Sequence, residues 1–124
     1  MLYYVSMTAL PNEDSPVYLR LRGHVAAGIL RGEWVAGDQL PSVRALAAEH
    51  GANPLTVAKA YQSFQDDGYV EVRRGVGMFV LPGAAERLRA AEREAFVTAQ
   101  WPRIREHIRL IGLDVHELLE RETA

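Results

Sequence analysis

Four cations, Arg44, Lys59, Arg73 and Arg74, fall within the stretch from Leu40 to Leu81, near a hydroxyl at Thr56 and a glycine pair at Gly75 and Gly77. Guanidinium and ammonium groups gathered on one side of a small domain neutralise phosphates and release counterions, which is polyanion-binding chemistry. Asp66, Asp67 and Glu71 are expected away from that side or at a far helix end. The placement predicts a local positive stripe and salt-sensitive binding on a chain of formal net charge −2 and pI about 6.1. Catalytic chemistry has no comparable set. There is no cysteine, hence no thiol nucleophile, thiolate metal site or disulfide framework. No activated serine, carboxylate pair in a cleft or phosphate-binding loop is legible, and Asp66-Asp67 reads as a solvated helix end. His24, His50, His107 and His116 are too scattered for an HxxxH pair, so no metal is expected; His107 with His116 is the weaker alternative weighed for one.

The elements that must position these cations are two short helices, a tight turn and a glycine-tipped hairpin. Ser42 is suited to cap the first helix, because its hydroxyl accepts from a free first-turn amide. That helix turns Val43, Leu46 and Ala47 inward and stops at Gly51, a residue suited to a left-handed C-terminal cap. Asn53 caps the next helix and Pro54 takes its first position, where a missing N–H costs nothing. Val57, Ala60, Tyr61 and Phe64 recur at i, i+3, i+4 and i+7, giving one buried stripe. The opposite face carries Leu55, Thr56, Ala58, Lys59 and Gln62, a surface that suits a groove better than open solvent. Helix, glycine-containing turn and helix form a helix-turn-helix. Tyr69 to Arg73 then alternates, with Val70 and Val72 on one side and Glu71 and Arg73 on the other. Arg74-Gly75-Val76-Gly77 is a turn, and Met78 to Leu81 returns as a partner strand. Beside a helix-turn-helix such a hairpin is a wing; the plainer alternative is a hairpin closing a small core with two solvated arginines.

These residues carry a resemblance. Pro16-Val17-Tyr18, Gly28-Ile29, Gly32, Gly37-Asp38-Gln39-Leu40-Pro41-Ser42-Val43-Arg44, Leu46-Ala47, the NPxTVxxAY run from Asn53 to Tyr61, Gly68, and the RGxGxFV run from Arg74 to Val80 are similar to the GntR family of bacterial transcription regulators. The short tail resembles the small YtrA-type branch. The resemblance implies a sequence-specific DNA-binding regulator, a repressor occupying a palindromic double-stranded operator as a homodimer. Its DNA contacts would come from Ser42, Arg44, Asn53, Pro54, Leu55, Thr56, Lys59, Arg73, Arg74, Gly75 and Gly77. Leu55 and Thr56 would reach base edges in the major groove, and Lys59 a phosphate or a guanine. Arg44 would hold the phosphate backbone, while Arg74 and Gly75 would approach the adjacent minor groove or its phosphates. The branch usually has arginine at the position of Lys59, and Met78 stands where threonine is usual. Arg44 paired with Glu49, or Thr56 as an ordinary first-turn residue, are the plainer alternatives. A winged helix can also serve as a protein-interaction module without specific DNA binding; retained wing arginines weigh against that. No cofactor is implied, although a small-molecule inducer is compatible with the family.

The chain's 124 residues, 48% of them apolar, allow one compact domain with an appendage. The expected organisation is an arm over 1–15, a winged helix-turn-helix domain over 16–82 and a helical dimerisation or effector segment over 83–124. The fold class is mainly α with a small antiparallel β wing. Tyr3, Tyr4 and Val5 in the arm could add a strand, pack on a partner or stay disordered. Ser15 and Pro16 open a helix to about Arg31 with Val17, Leu21, Val25, Ile29 and Leu30 inward. Gln39-Leu40 is a short strand able to pair with the wing. No apolar run is long enough to span a bilayer, and the opening MLYYVSMTAL lacks the pattern of a signal peptide, so a cytoplasmic location is expected.

The tail begins with a charged, alanine-rich helix placing Leu88, Ala91 and Ala95 on one side. Trp101, Ile104, Ile108 and Ile111 continue the apolar pattern, with Pro102 expected to kink or split it. After Gly112, Asp114 to Glu117 reads as a capping box opening a last helix with Val115, Leu118 and Leu119 on its edge. Such a stripe either folds back on the wing domain or pairs with another copy. The resemblance favours a dimer interface of Leu88, Ala91, Ala95, Trp101, Ile104, Ile108, Ile111 and Leu118.

Overall fold

The structure, a computed structural model, describes residues 16–121. Expectations for the arm and for Ser15 lie outside the described residues. In chain order the elements are α1 (Val17–Arg31), α2 (Val43–His50), α3 (Pro54–Asp66), β1 (Val70–Arg73), β2 (Gly77–Val80), α4 (Ala84–Ala95), a π-helical turn (Phe96–Gln100), α5 (Trp101–Leu110) and α6 (Val115–Glu120).

Local chemistry sets most of these boundaries. Pro16 is the N-cap of α1, which Gly32 ends in the left-handed conformation. Gly28, near the end of α1, is a poor helix former with a packing reason to be there. A Cβ at Gly28 would collide with the Trp34 ring, which folds back over the helix. Of the expected α1 stripe, Leu21, Val25 and Ile29 are buried, Leu30 is half-buried and Val17 lies exposed.

The core gathers Leu21, Val25 and Ile29 of α1, Leu46 of α2, and Val57, Ala60, Tyr61 and Phe64 of α3, closed by Leu40, Tyr69, Val70 and Val80. Inside it, Arg22 stacks its guanidinium 4.9 Å from the centre of the Phe64 ring and reaches Asp67 at 3.5 Å. The wing is an antiparallel pair in the register Val70↔Val80, Glu71↔Phe79, Val72↔Met78, Arg73↔Gly77. Gln39 bridges to Phe79 on the other edge of β2. The neighbouring bonds Leu40 N–H to Met78 O and Gly37 N–H to Val80 O are both 2.8 Å. Val70 is buried, but Val72, expected beside it, is half exposed: the two-stranded ribbon projects past the helices, so nothing covers its outer part.

The core continues past residue 82. Ala84 and Leu88 are each 1% exposed and join the same cluster, because α4 lies along α1. Leu88, expected at a dimer interface, is therefore already consumed by the chain's own core. Farther out the helix does not simply break at Pro102. The amide of Trp101 reaches back five residues to the carbonyl of Phe96. A proline deprives the carbonyl four residues earlier of its donor and crowds it, and a single wide turn just ahead relieves both effects. Gly112, in the left-handed conformation at φ 77°, ends the next segment; Leu113 N–H bonds Ile108 O and Gly112 N–H bonds Arg109 O. The Asp114 side chain then accepts from the His116 amide at 2.9 Å, as expected of a helix-opening cap.

Candidate nucleic-acid interface

Two caps and a turn place α3. The Ser42 hydroxyl accepts from Ala45 N–H at 3.0 Å, and Asn53 Oδ1 accepts from Leu55 N–H at 2.7 Å. Gly51, at φ 62°, adopts the left-handed conformation that lets its amide and that of Ala52 bond back onto the end of α2. Behind α3, the Tyr61 hydroxyl donates to Pro41 O at 2.7 Å; burial pushes that hydroxyl's pKa well above the ordinary tyrosine value.

This scaffold leaves the outer face of α3 open. Leu55 is 79% exposed, and Ala58, Lys59 and Gln62 are exposed around it, with Thr56 half-buried at the margin. No acidic side chain stands in the first turn of α3, so its free amides and positive dipole end meet no opposing charge there. Lys59 sits with its ammonium 4.6 Å from the centre of the Tyr18 ring, which holds the side chain toward the α1 end of the face. Gln62 instead donates to Asp66 at 2.9 Å. Arg44 is exposed in the first turn of α2.

At the wing, Arg74, Gly75 and Val76 form the exposed tip, with Gly75 at φ 79°. Arg73 is differently employed. Its Nε donates to Glu71 at 3.2 Å, and its guanidinium lies 4.0 Å from the centre of the Phe79 ring. Glu71 thus stands beside Arg73 rather than away from the cations, because residues two apart on a strand share a face. Arg44, Lys59 and Arg74 are all exposed, whereas Arg73 is partly neutralised by Glu71 at the base of the wing.

Gln39, expected as a strand beside the wing, also positions it through its side chain, which the sequence pattern does not show. Gln39 donates its side-chain amide to Val76 O at 2.8 Å, tying the wing tip to the strand beside β2. The available signal was Gly77: a Cβ there would collide with Gln39. Two of the histidines that look scattered in sequence do come together: His24 and His50 have ring centres 4.5 Å apart.

The expected dimer residues divide by location. Ala91, Ile104 and Ile111 are exposed, Ala95, Trp101, Ile108 and Leu118 are half-buried, and only Leu88 is fully enclosed. Phe96 and Val97, which were not expected there, add apolar surface beside Ile104. With α1 they line a cavity of about 710 Å³ whose walls include Gly23, Ala26, Leu30 and Glu92. Among the described residues no helix is long and apolar enough to cross a membrane.

Comparison with known proteins agrees with this architecture. Residues 17–80 match the family described as bacterial regulatory proteins, gntR family. The chain is 32% identical over 106 residues to the HTH-type transcriptional repressor YtrA of Bacillus subtilis, covering 86% of this chain and 75% of that protein. It is also 32% identical over 113 residues to the uncharacterized HTH-type transcriptional regulator YhcF of the same organism, covering 86% and 87%. A crystal structure of a transcriptional regulator from Oenococcus oeni superposes with a TM-score of 0.66 at 25% identity, covering 90% of this chain and 92% of that one. The helix-turn-helix, the wing beside it and these matches together establish that the chain belongs to the gntR family and is a transcriptional regulator with a winged helix-turn-helix DNA-binding domain.

Proposed function

We propose that the protein is a homodimeric repressor that occupies a palindromic operator. The observation that carries the reading is the open N-terminal face of α3, with Leu55 79% exposed beside a wing whose tip presents Arg74. On a soluble surface a leucine so exposed gains nothing, whereas in a major groove it meets thymine methyl groups. Thr56 reaches a base edge beside it, Lys59 and Arg44 hold phosphates, and Arg74 with Gly75 meets the phosphates that flank the neighbouring minor groove. Ser42, Asn53, Pro54 and Gly77 act by shaping the backbone that presents these groups. Arg73 supports the wing through Glu71 and Phe79 and adds little free charge.

Dimerisation is proposed for the tail, excluding Leu88. Ile104, Leu110, Ile111 and Leu119 are all at least 41% exposed, and a second copy would remove them from water. A two-fold pair would set its α3 helices on half-sites about 34 Å apart. The similarity to a protein named as a repressor supports repression as the mode of action, in the cytoplasm where the operator lies. The cavity between α1 and the tail is the place in which a small inducer would be accommodated.

The test is binding of the purified protein to its own upstream DNA, titrated against salt, beside an Arg44→Ala, Arg74→Ala double variant. Tight binding to one palindrome, lost in the variant, supports the reading. Weak binding indifferent to sequence and equal in both proteins would overturn it and direct attention to protein partners.

A further inference from the structure

We propose that His24, Glu49 and His50 form a binding site for a first-row divalent cation of the Zn²⁺ class, clamping α1 to the end of α2. Each residue offers one ligand atom, and these atoms lie within 4.8 Å of one another. The two imidazoles meet edge to face, with ring centres 4.5 Å apart and planes inclined at 67°. Two imidazoles and one carboxylate are a donor set that zinc uses with a water in the fourth position. Metal–ligand bonds near 2.0–2.1 Å imply tetrahedral ligand separations of roughly 3.4 Å. Closing to that distance asks the exposed side chains of Glu49 and His50 to turn toward the half-buried His24.

The surroundings favour a cation. Glu49 and His50 are the last two residues of α2, where the helix dipole and free carbonyls are negative. The nearby Arg31 is paired with Glu33 at 3.7 Å, which offsets its repulsion. Trp34 stands edge-on to His24 at 6.2 Å, close enough to serve as an optical reporter. Bound metal would join α1 to the residue next to Gly51, and so brace the turn that leads into α3.

The experiment uses the untagged, metal-stripped full chain, titrated with Zn²⁺ by calorimetry at pH 7.5. Its companion is Cu²⁺ quenching of Trp34 emission in a Trp101→Phe background. One Zn²⁺ per chain is expected, with affinity reduced at least tenfold by His50→Ala and by Glu49→Gln, both at exposed positions where folding is not at risk. Zinc should also raise Tm in the parent and not in His50→Ala, since a ligand bound only to the native state stabilises it. The double variant His107→Ala, His116→Ala should bind as the parent does. Equal binding by His50→Ala and the parent, or loss of binding in the tail double variant, would overturn the proposal.

Discussion

The Tyr61 hydroxyl donates to the carbonyl of Pro41, the residue just before the Ser42 cap, at 2.7 Å. One side chain of α3 thereby holds the strand end that launches α2, so the two helices share a fixed angle. Tyr61→Phe keeps the ring in the core and leaves the Pro41 carbonyl half-buried without that donor. A loss of about 1–2 kcal/mol in urea unfolding is expected, with weaker operator binding as the helix pair loosens. Unchanged unfolding would show that the bond contributes nothing beyond ring packing.

Arg44 and Arg74 are proposed as phosphate contacts on separate elements. Each contact removed should lower the slope of log affinity against log salt by about 0.9. Single Arg44→Ala and Arg74→Ala variants should therefore weaken binding to operator and to unrelated DNA by similar factors. Fluorescence anisotropy at several salt concentrations reads both. By contrast, Leu55→Ala should weaken operator binding while leaving the salt slope unchanged.

Gly77 can carry no side chain while Gln39 stays where it is, and its φ of 150° already disfavours other residues. Gly77→Ala should displace Gln39 from Val76 and release the wing tip. The expected cost is about 1–3 kcal/mol of stability, together with faster amide exchange at Val76. Gln39→Ala alone should reproduce the tip loosening with a smaller loss of stability.

Leu88 and Ile104 sit on one continuous tail yet answer to different neighbours. Leu88→Ala opens a cavity against α1 and should cost about 2–5 kcal/mol on unfolding. Ile104→Asp should leave the folded chain intact and shift sedimentation toward the monomer. Were Leu88→Ala to dissociate a dimer without lowering stability, the assignment of that leucine to the intrachain core would fail.

Glu92 lines the cavity between α1 and the tail, where burial raises its pKa from 4.5 to about 7 despite the attraction of Arg22. The native chain therefore binds more protons than the unfolded one between those values, and stability falls as pH rises through that window. Above pH 7 the penalty is fully present; discounted for the carboxyl's half exposure it is about 1 kcal/mol. Glu92→Gln should be more stable than the parent at pH 8 and nearly equal to it at pH 4.5. Thermal melts across that range measure the difference.

What could be read beforehand was local. Ser42, Asn53 and Gly51 act within three residues of themselves, and the α3 stripe from Val57 to Phe64 needs only helical spacing to be seen. The pairing of Gln39 with the wing was legible because a short extended segment had a hairpin edge available to it. His24 and His50 were not legible as neighbours, since a loop and a helix separate them and only the packing of α1 on α2 joins them. Leu88 is legible as part of an apolar stripe, but an amphipathic stripe does not name the surface it will meet. Glu71, expected away from the cations, instead meets Arg73, because the strand alternation that separates it from Val70 and Val72 also puts it on the face of Arg73. The proline at 102 announces a kink or a split, and the chain accommodates it instead with one wide turn.

That widened turn makes the tail a matter of counting. Five-residue hydrogen-bond closure at Phe96–Trp101 accommodates roughly one residue more than α winding requires, which offsets everything beyond it by about 100° around the axis. Ala99 is exposed, so exchanging it for another helix former should pass almost unnoticed. Deleting it would restore the ordinary winding and swing Ile104 and Ile108 to a different bearing relative to Leu88. Length, more than composition, sets where the far half of the tail points.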